Sequence, residues 1–178
     1  RDFGVLDFAG AYTDGFNTAN GAGVQNGQAF TGRFGFDVAD WWKIGAAISY
    51  NDLVSSDYTT YTVDTKVSTG GLDLTAAYVA TSGDAGDNWG ATVQAGYFCF
   101  DNFQGFAAYE YGELEGVSEN LSTITVGGNY FINDNVKWTT DFGYALNGIN
   151  GAWDLGETGW RPGDSGEYVV RTQIQISF

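Results

Sequence analysis

The sequence predicts an all-β chain: a transmembrane, antiparallel, up-and-down β-barrel with about ten strands. Three observations predict it. Apolar and polar residues alternate with period two along most of the chain, and helical periodicity is nearly absent. Aromatics are abundant (6 Trp, 11 Tyr, 13 Phe), yet charged residues make up only 16% of the 178 residues. That is below the roughly 25% of an average globular chain, so part of the surface does not face water. Finally, the connectors between alternating stretches are short and long by turns, which is the layout of an outer-membrane barrel.

The strands follow in order. In residues 4–12, Leu6, Phe8 and Tyr12 oppose Asp7. Residues 29–38 set Phe30, Phe34, Phe36 and Val38 against Thr31, Arg33 and Asp37. Residues 42–51 set Trp42, Ile44, Ile48 and Tyr50 against Ser49 and Asn51. Residues 59–67 place Tyr61, Val63 and Val67 opposite Thr62, Asp64 and Lys66, and residues 72–80 place Leu72, Leu74 and Tyr78 opposite Asp73 and Thr75. In 89–99, Trp89, Val93 and Tyr97 oppose Thr92 and Gln94; in 103–112, Phe103, Tyr109 and Tyr111 oppose Gln104 and Glu110. Residues 121–132 separate Ile124, Val126, Tyr130 and Ile132 from Thr123, Thr125 and Asn129. Residues 136–145 separate Val136, Trp138, Phe142 and Tyr144 from Lys137, Thr139 and Asp141. The clearest stretch is 167–178, with Tyr168, Val170, Ile174, Ile176 and Phe178 on one parity and Glu167, Val169, Arg171, Gln173 and Gln175 on the other. A tilted strand of ~9–11 residues crosses a bilayer.

Short connectors fall near 39–41, 68–71, 100–102 and 133–135, and longer ones cover 13–28, 52–58, 81–88, 113–120 and 146–166. A turn at 133–135 pairs Ile132 with Val136 and Tyr130 with Trp138; a turn at 68–71 sets Lys66 opposite Asp73. Two features separate this barrel from a soluble sandwich. The polar parity carries Thr, Gln, Asn and Ser rather than many Lys and Glu. Small residues (Ala46, Ala76, Ala91, Ala95, Ala107, Gly128) recur on the apolar parity, where a protein core would have to fill its volume.

Composition excludes several functions. Acids outnumber bases 22 to 7, for a formal charge of -15, against the basic face that nucleic-acid binding requires. With no His and one Cys, the usual zinc sites and imidazole-based triads are missing. The expectation is a chain that is not an enzyme and holds no cofactor. The stretch 21–27 is Gly-rich but lacks the Lys-Ser/Thr of a phosphate-binding loop. No signal peptide precedes Arg1, which reads as a processed chain or a piece of a longer one.

The runs Gly90–Phe98, Phe106–Tyr111, Val126–Lys137 and Arg171–Phe178 resemble, in order, strands of the phosphate-selective porin (O and P type) family. The resemblance covers about two-thirds of the chain and rests on strand patterns rather than on a site. It implies a sixteen-stranded, homotrimeric porin of the Gram-negative outer membrane. This chain would then be a single barrel domain over 1–178, read as the C-terminal part of a larger barrel. Phe178 ending an alternating strand is similar to an outer-membrane assembly signal.

The parity scheme sorts the charges. Pore-lining positions are Asp7, Arg33, Asp37, Asp64, Lys66, Asp73, Glu110, Lys137, Asp141, Glu167 and Arg171: seven acids against four bases, net -3. The long loops carry Asp14, Asp52, Asp57, Asp84, Asp87, Glu113, Glu115, Glu119, Asp154, Glu157 and Asp164 against Arg161, net -10. Rings of one sign select ions by charge, so the expectation is passive diffusion of ions and small hydrophilic solutes with a weak cation preference. The bases form no ladder for phosphate. Asp84, Asp87, Glu113, Glu115 and Glu119 are oxygen-rich candidates for Ca²⁺ or Mg²⁺, without the spacing of an EF-hand. Trp41, Trp42, Phe103, Tyr130, Trp138 and Phe178 read as an aromatic girdle at the short-turn rim; Tyr12, Tyr50, Tyr78, Trp89 and Tyr111 read as the outer one. Expected partners are outer-membrane lipid and lipopolysaccharide. The alternative is a small closed barrel that anchors the envelope or binds a partner.

Overall fold

The computed structural model describes residues 5–13, 28–53, 56–84, 86–153 and 160–177. Among them the chain forms ten strands and no helix: β1 (Leu6–Thr13), β2 (Gln28–Ala39), β3 (Trp42–Leu53), β4 (Ser56–Thr69), β5 (Leu72–Gly83), β6 (Asn88–Phe100), β7 (Phe103–Glu113), β8 (Leu121–Asn133), β9 (Val136–Ala145) and β10 (Tyr168–Ile176). They make one antiparallel sheet in sequence order, β1 to β10. Every alternating stretch is a strand.

The strands outrun the alternation on the long-connector side. The β3–β4 ladder continues through Asn51↔Tyr58 and Asp52↔Asp57 to Leu53↔Ser56, so the connector expected at 52–58 is mostly paired strand. The reason is physical: beyond a hydrocarbon layer a paired strand need not alternate, and Asp52 and Asp57 look like loop residues in sequence.

The short turns come in two kinds. Gly70 and Gly71 have φ of 57° and 83°, the positive values that a two-residue type I′ hairpin demands at both central positions. The other three tight turns, at 40–41, 101–102 and 134–135, each begin with Asp and follow a register shift at Asp37/Ala39, Phe98/Phe100 and Phe131/Asn133. Val38, Cys99 and Ile132 are therefore bulge residues. Such bulges bend the strand and increase its twist. Tyr130 does pair with Trp138, but Val136 faces Asn133, not Ile132. Lys66 likewise faces Thr75, and Asp73 faces Ser68, because a two-residue turn shifts the pairing by two residues from that of the four-residue turn expected at 68–71.

One face of the sheet is apolar and bare. Phe8 is 80% exposed, Tyr168 69% and Ile174 66%. A sandwich would seal these side chains against a second sheet; among the described residues the buried hydrophobics are only Ala29, Ala80, Ala145, Ile149 and Trp160. Small residues dent the same face: Ala46, Ala76 and Ala91 help to line a groove of about 700 Å³ between Phe34 and Tyr111. β1 and β10 are not paired with each other among the described residues. Hydrocarbon cannot satisfy their outer backbone groups, so inside a bilayer each edge requires a further pairing.

Candidate functional site on the polar face

The opposite face gathers the charges. Cross-strand register puts Asp7, Arg33 and Asp37 of β1–β2 on the same face as Asp64 and Lys66 of β4 and Asp73 of β5. The same face runs on through Glu110, Asp141, Lys137 and Arg171 of β7, β9 and β10. Glu167 lies just before β10, where its carbonyl accepts a hydrogen bond from the Ala145 amide at 2.9 Å. Lys43 belongs to the face as well, opposite Asp37 and Lys66. Parity alone would have found it, since it precedes Ser49 by six residues. With Lys43 the face carries seven acids and five bases.

On β1–β4 these charges pair. Arg33 reaches diagonally to Asp64 at 2.9 Å, and Lys43 to Asp37 at 3.1 Å. The first pair lies flat over Gly45, where an added Cβ would stand 2.6 Å from the Arg33 Nη2 and 2.8 Å from the Asp64 Oδ2. Lys66 and Asp7 take no ion-pair or hydrogen-bond partner among the described residues.

From β5 to β9 the face is held by amides and hydroxyls. The Gln104 Nε2 donates to Asp73 at 2.7 Å, the Asn129 Nδ2 to the Gln104 Oε1 at 2.9 Å, and the Thr139 Oγ1 to the Asn129 Oδ1 at 2.7 Å. Gln104 spans β6 by passing over Gly96, whose added Cβ would meet its amide at 3.0 Å. This ladder, not Lys66, is the partner of Asp73. Nearby, Phe98 and Phe131 stack with ring centroids 5.5 Å apart. Arg171 closes the row, its Nε 2.7 Å from the Asp141 Oδ1.

The connector after β9 folds back onto this face. Ile149 and Gly163 exchange backbone hydrogen bonds at 2.7 and 3.0 Å, and Ala145, Ile149 and Trp160 form a small buried cluster against Val169. Two glycines seat two indoles. A Cβ at Gly143 would lie 2.8 Å from the Trp160 Cζ2, and one at Gly112 would lie 2.6 Å from the Trp153 Cη2. Trp160 then roofs a cavity of about 300 Å³ with Phe106, Glu110, Asp141 and Arg171. Alternation did not identify these indoles. The available signal was a breach of it: Val169 and Phe106 are apolar residues on the polar parity.

The rims keep their expected chemistry in part. Trp42, Phe103, Tyr130 and Trp138 stand on the apolar face by the short turns, and Trp41 in its turn stacks on Trp42 at 6.1 Å. Tyr78, Trp89 and Tyr111 form a row at the other rim, with centroids 5.9 and 5.3 Å apart. Glu113 accepts from Trp89 at 3.0 Å and from Tyr111 at 2.6 Å. Asp84 accepts from the Asp57 amide, Asp87 from Ser82, and Glu115 from the Asp87 amide, while Glu119 lies beside Gly148. These acids stitch loops together. Among the described residues no three ligating side chains are gathered in a way that could hold a metal ion. Phe178, Asp14, Asp154, Glu157 and the Gly-rich stretch 21–27 lie outside the described residues.

A wall that is charged on one face and bare and apolar on the other, with tight turns along one edge, defines an outer-membrane β-barrel protein. No protein-family model and no curated protein sequence matches the chain. Among solved structures it is similar to OmpT, an outer membrane protein of Vibrio cholerae folded in vitro, in trimer form: 13% identity over 97% of this chain and 75% of that one, TM-score 0.50. It is also similar to the loop L8 deletion mutant of the same protein, at 14% identity over 81% and 70%, TM-score 0.50. The likeness shows a shared fold, that of a bacterial outer-membrane barrel, and the bare apolar face is the side such a barrel turns to lipid. The expectation of a chain that is not an enzyme is overturned by this comparison. It places the chain on a barrel fold of the OmpT type, and function lives in sites grafted on folds. The missing histidines remove imidazole chemistry and nothing wider.

Proposed function

We propose that the chain forms the wall of a water-filled channel for passive diffusion of ions and small hydrophilic solutes, with an acidic mouth and a weak cation preference. One observation carries this reading. Ionised side chains on eight of the ten strands share the face turned away from lipid. Charges buried without water are costly, and an aqueous lumen removes that cost. The polar-face positions are then pore-lining, the returning connector with Trp153 and Trp160 narrows the channel, and the aromatic rows sit at the two bilayer interfaces. Lipid covers the apolar face, lipopolysaccharide meets the acidic rim, and the assembly is a homotrimer.

The resemblance to phosphate-selective porins supports a channel, but phosphate is not the proposed solute. Arg33, Lys43 and Arg171 are each already paired with an aspartate. Planar-bilayer recording tests the reading. Stepwise currents with a reversal potential favouring K⁺ over Cl⁻ are expected. A folded but silent protein would favour an envelope anchor, and an anion-selective current would refute the charge assignment.

A further inference from the structure

We propose that the polar face of β1–β4 is a subsite for small zwitterions, α-amino acids and short peptides, with the ammonium taken by Asp7 and the carboxylate by Lys66. The proposal rests on the channel reading for its place in transport, and on geometry for binding.

A cavity of about 510 Å³ is lined here by Asp7, Arg33, Asp37, Lys43, Asp64 and Lys66. Three acids face three bases, so the cavity is neutral as a whole. Two ion pairs consume four of the six charges: Arg33 with Asp64 and Lys43 with Asp37. The residual charges are one anion on β1 and one cation on β4. They stand three strand spacings apart and two residues out of line, roughly 16 Å between backbones before the side chains reach inward.

The floor between them is low. Asp7 faces Gly35, Gly35 faces Gly45, and Gly45 faces Asp64. The Arg33–Asp64 pair is pressed onto Gly45 rather than standing in the cavity. Lys66 also sits directly opposite Lys43, a like-charge arrangement that is unfavourable and that an incoming carboxylate relieves. A solute of one sign meets one of the two residual charges and is repelled by the other. A small solute bearing both signs satisfies both.

The test uses the full chain folded in detergent, titrated with glycylglycine and with uncharged N-acetylglycinamide and followed by saturation-transfer NMR. Exposed charge contacts are individually weak, so a preference for glycylglycine of about three- to tenfold is expected. Asp7→Asn and Lys66→Gln should each reduce it toward the neutral analogue, and Asp7→Glu should keep it. Equal affinity for both solutes, or a preference surviving both neutralising variants, would overturn the subsite. Bilayer recording on the same preparation separates the two readings. Binding with this charge dependence in a silent protein upholds the subsite and sinks the channel. A conducting protein without the preference does the reverse.

Discussion

The two halves of the polar face are built from the same alternation and end in different states. On β1–β4 it is open around the ion pairs, where the Arg33 and Asp64 side chains are 51% and 38% exposed, and closed at the long-connector end, where Ala29 and Asn51 are each 1% exposed. On β7–β10 it is covered: Gln104, Thr123, Thr125 and Asn129 are buried, and in the Arg171–Asp141 pair the side chains are 33% and 12% exposed. Around Thr125, Glu110 and Asp141 the cover is the connector after β9, which lays Trp160 over Gly143 and Trp153 over Gly112; Gln104 and Asn129, near the short turns, are buried in their own amide ladder. Strand pattern decides which residues face away from lipid; a returning connector decides which of those meet water.

Removing the roof should give the largest effect. Trp160 is 6% exposed, and Trp160→Ala should weaken the seating of the connector by about 3 kcal/mol. Amide exchange across 146–153 should rise, and single-channel conductance with it. Gly143→Val, which intrudes on the same ring, should act alike. Unchanged exchange in both variants would erase the distinction between the halves.

The two ion pairs sharpen it next. Asp141→Asn removes the carboxylate charge that stands 2.7 Å from the Arg171 Nε and should cost about 2 kcal/mol, below the 3–5 of a fully buried pair. Asp64→Asn, in the open half, should cost less than about 1 kcal/mol. Urea unfolding in one detergent compares them, and equal costs would contradict the contrast in shielding.

Gln104→Leu removes the middle of the amide ladder: the Asp73 carboxylate loses its donor and the Asn129 Nδ2 its acceptor, while the Asn129 Oδ1 keeps Thr139. A loss of about 1–2 kcal/mol is expected from two polar groups stripped of partners. The smallest effect is functional. Lys43→Gln frees the Asp37 carboxylate and should raise K⁺ over Cl⁻ selectivity by less than about twofold, with no measurable change in unfolding.

Much of this was legible beforehand because period two is a strict geometric rule. A one-residue error would turn Arg33 or Asp141 toward lipid, so ten strands and nearly all of the charged positions follow from parity. Register was less legible. The Lys66–Asp73 pairing failed on the length of one turn, which Gly70 and Gly71 set through positive φ, and the Ile132–Val136 pairing failed on a bulge. The contacts of the loop acids were not legible either: Asp84 accepts from the Asp57 amide, 27 residues away, and Glu115 from the Asp87 amide, 28 residues away, separations that only the pairing of the strands closes.

Sequence alone determined the strands, their two faces and which face bears the charges, because side-chain alternation is a local property of extended backbone. The tertiary structure decided which charges neutralise one another and where the chain covers its own wall. Those outcomes depend on diagonal reach over glycines such as Gly45, Gly96 and Gly143, and a missing side chain has meaning only once the neighbouring strands are in place.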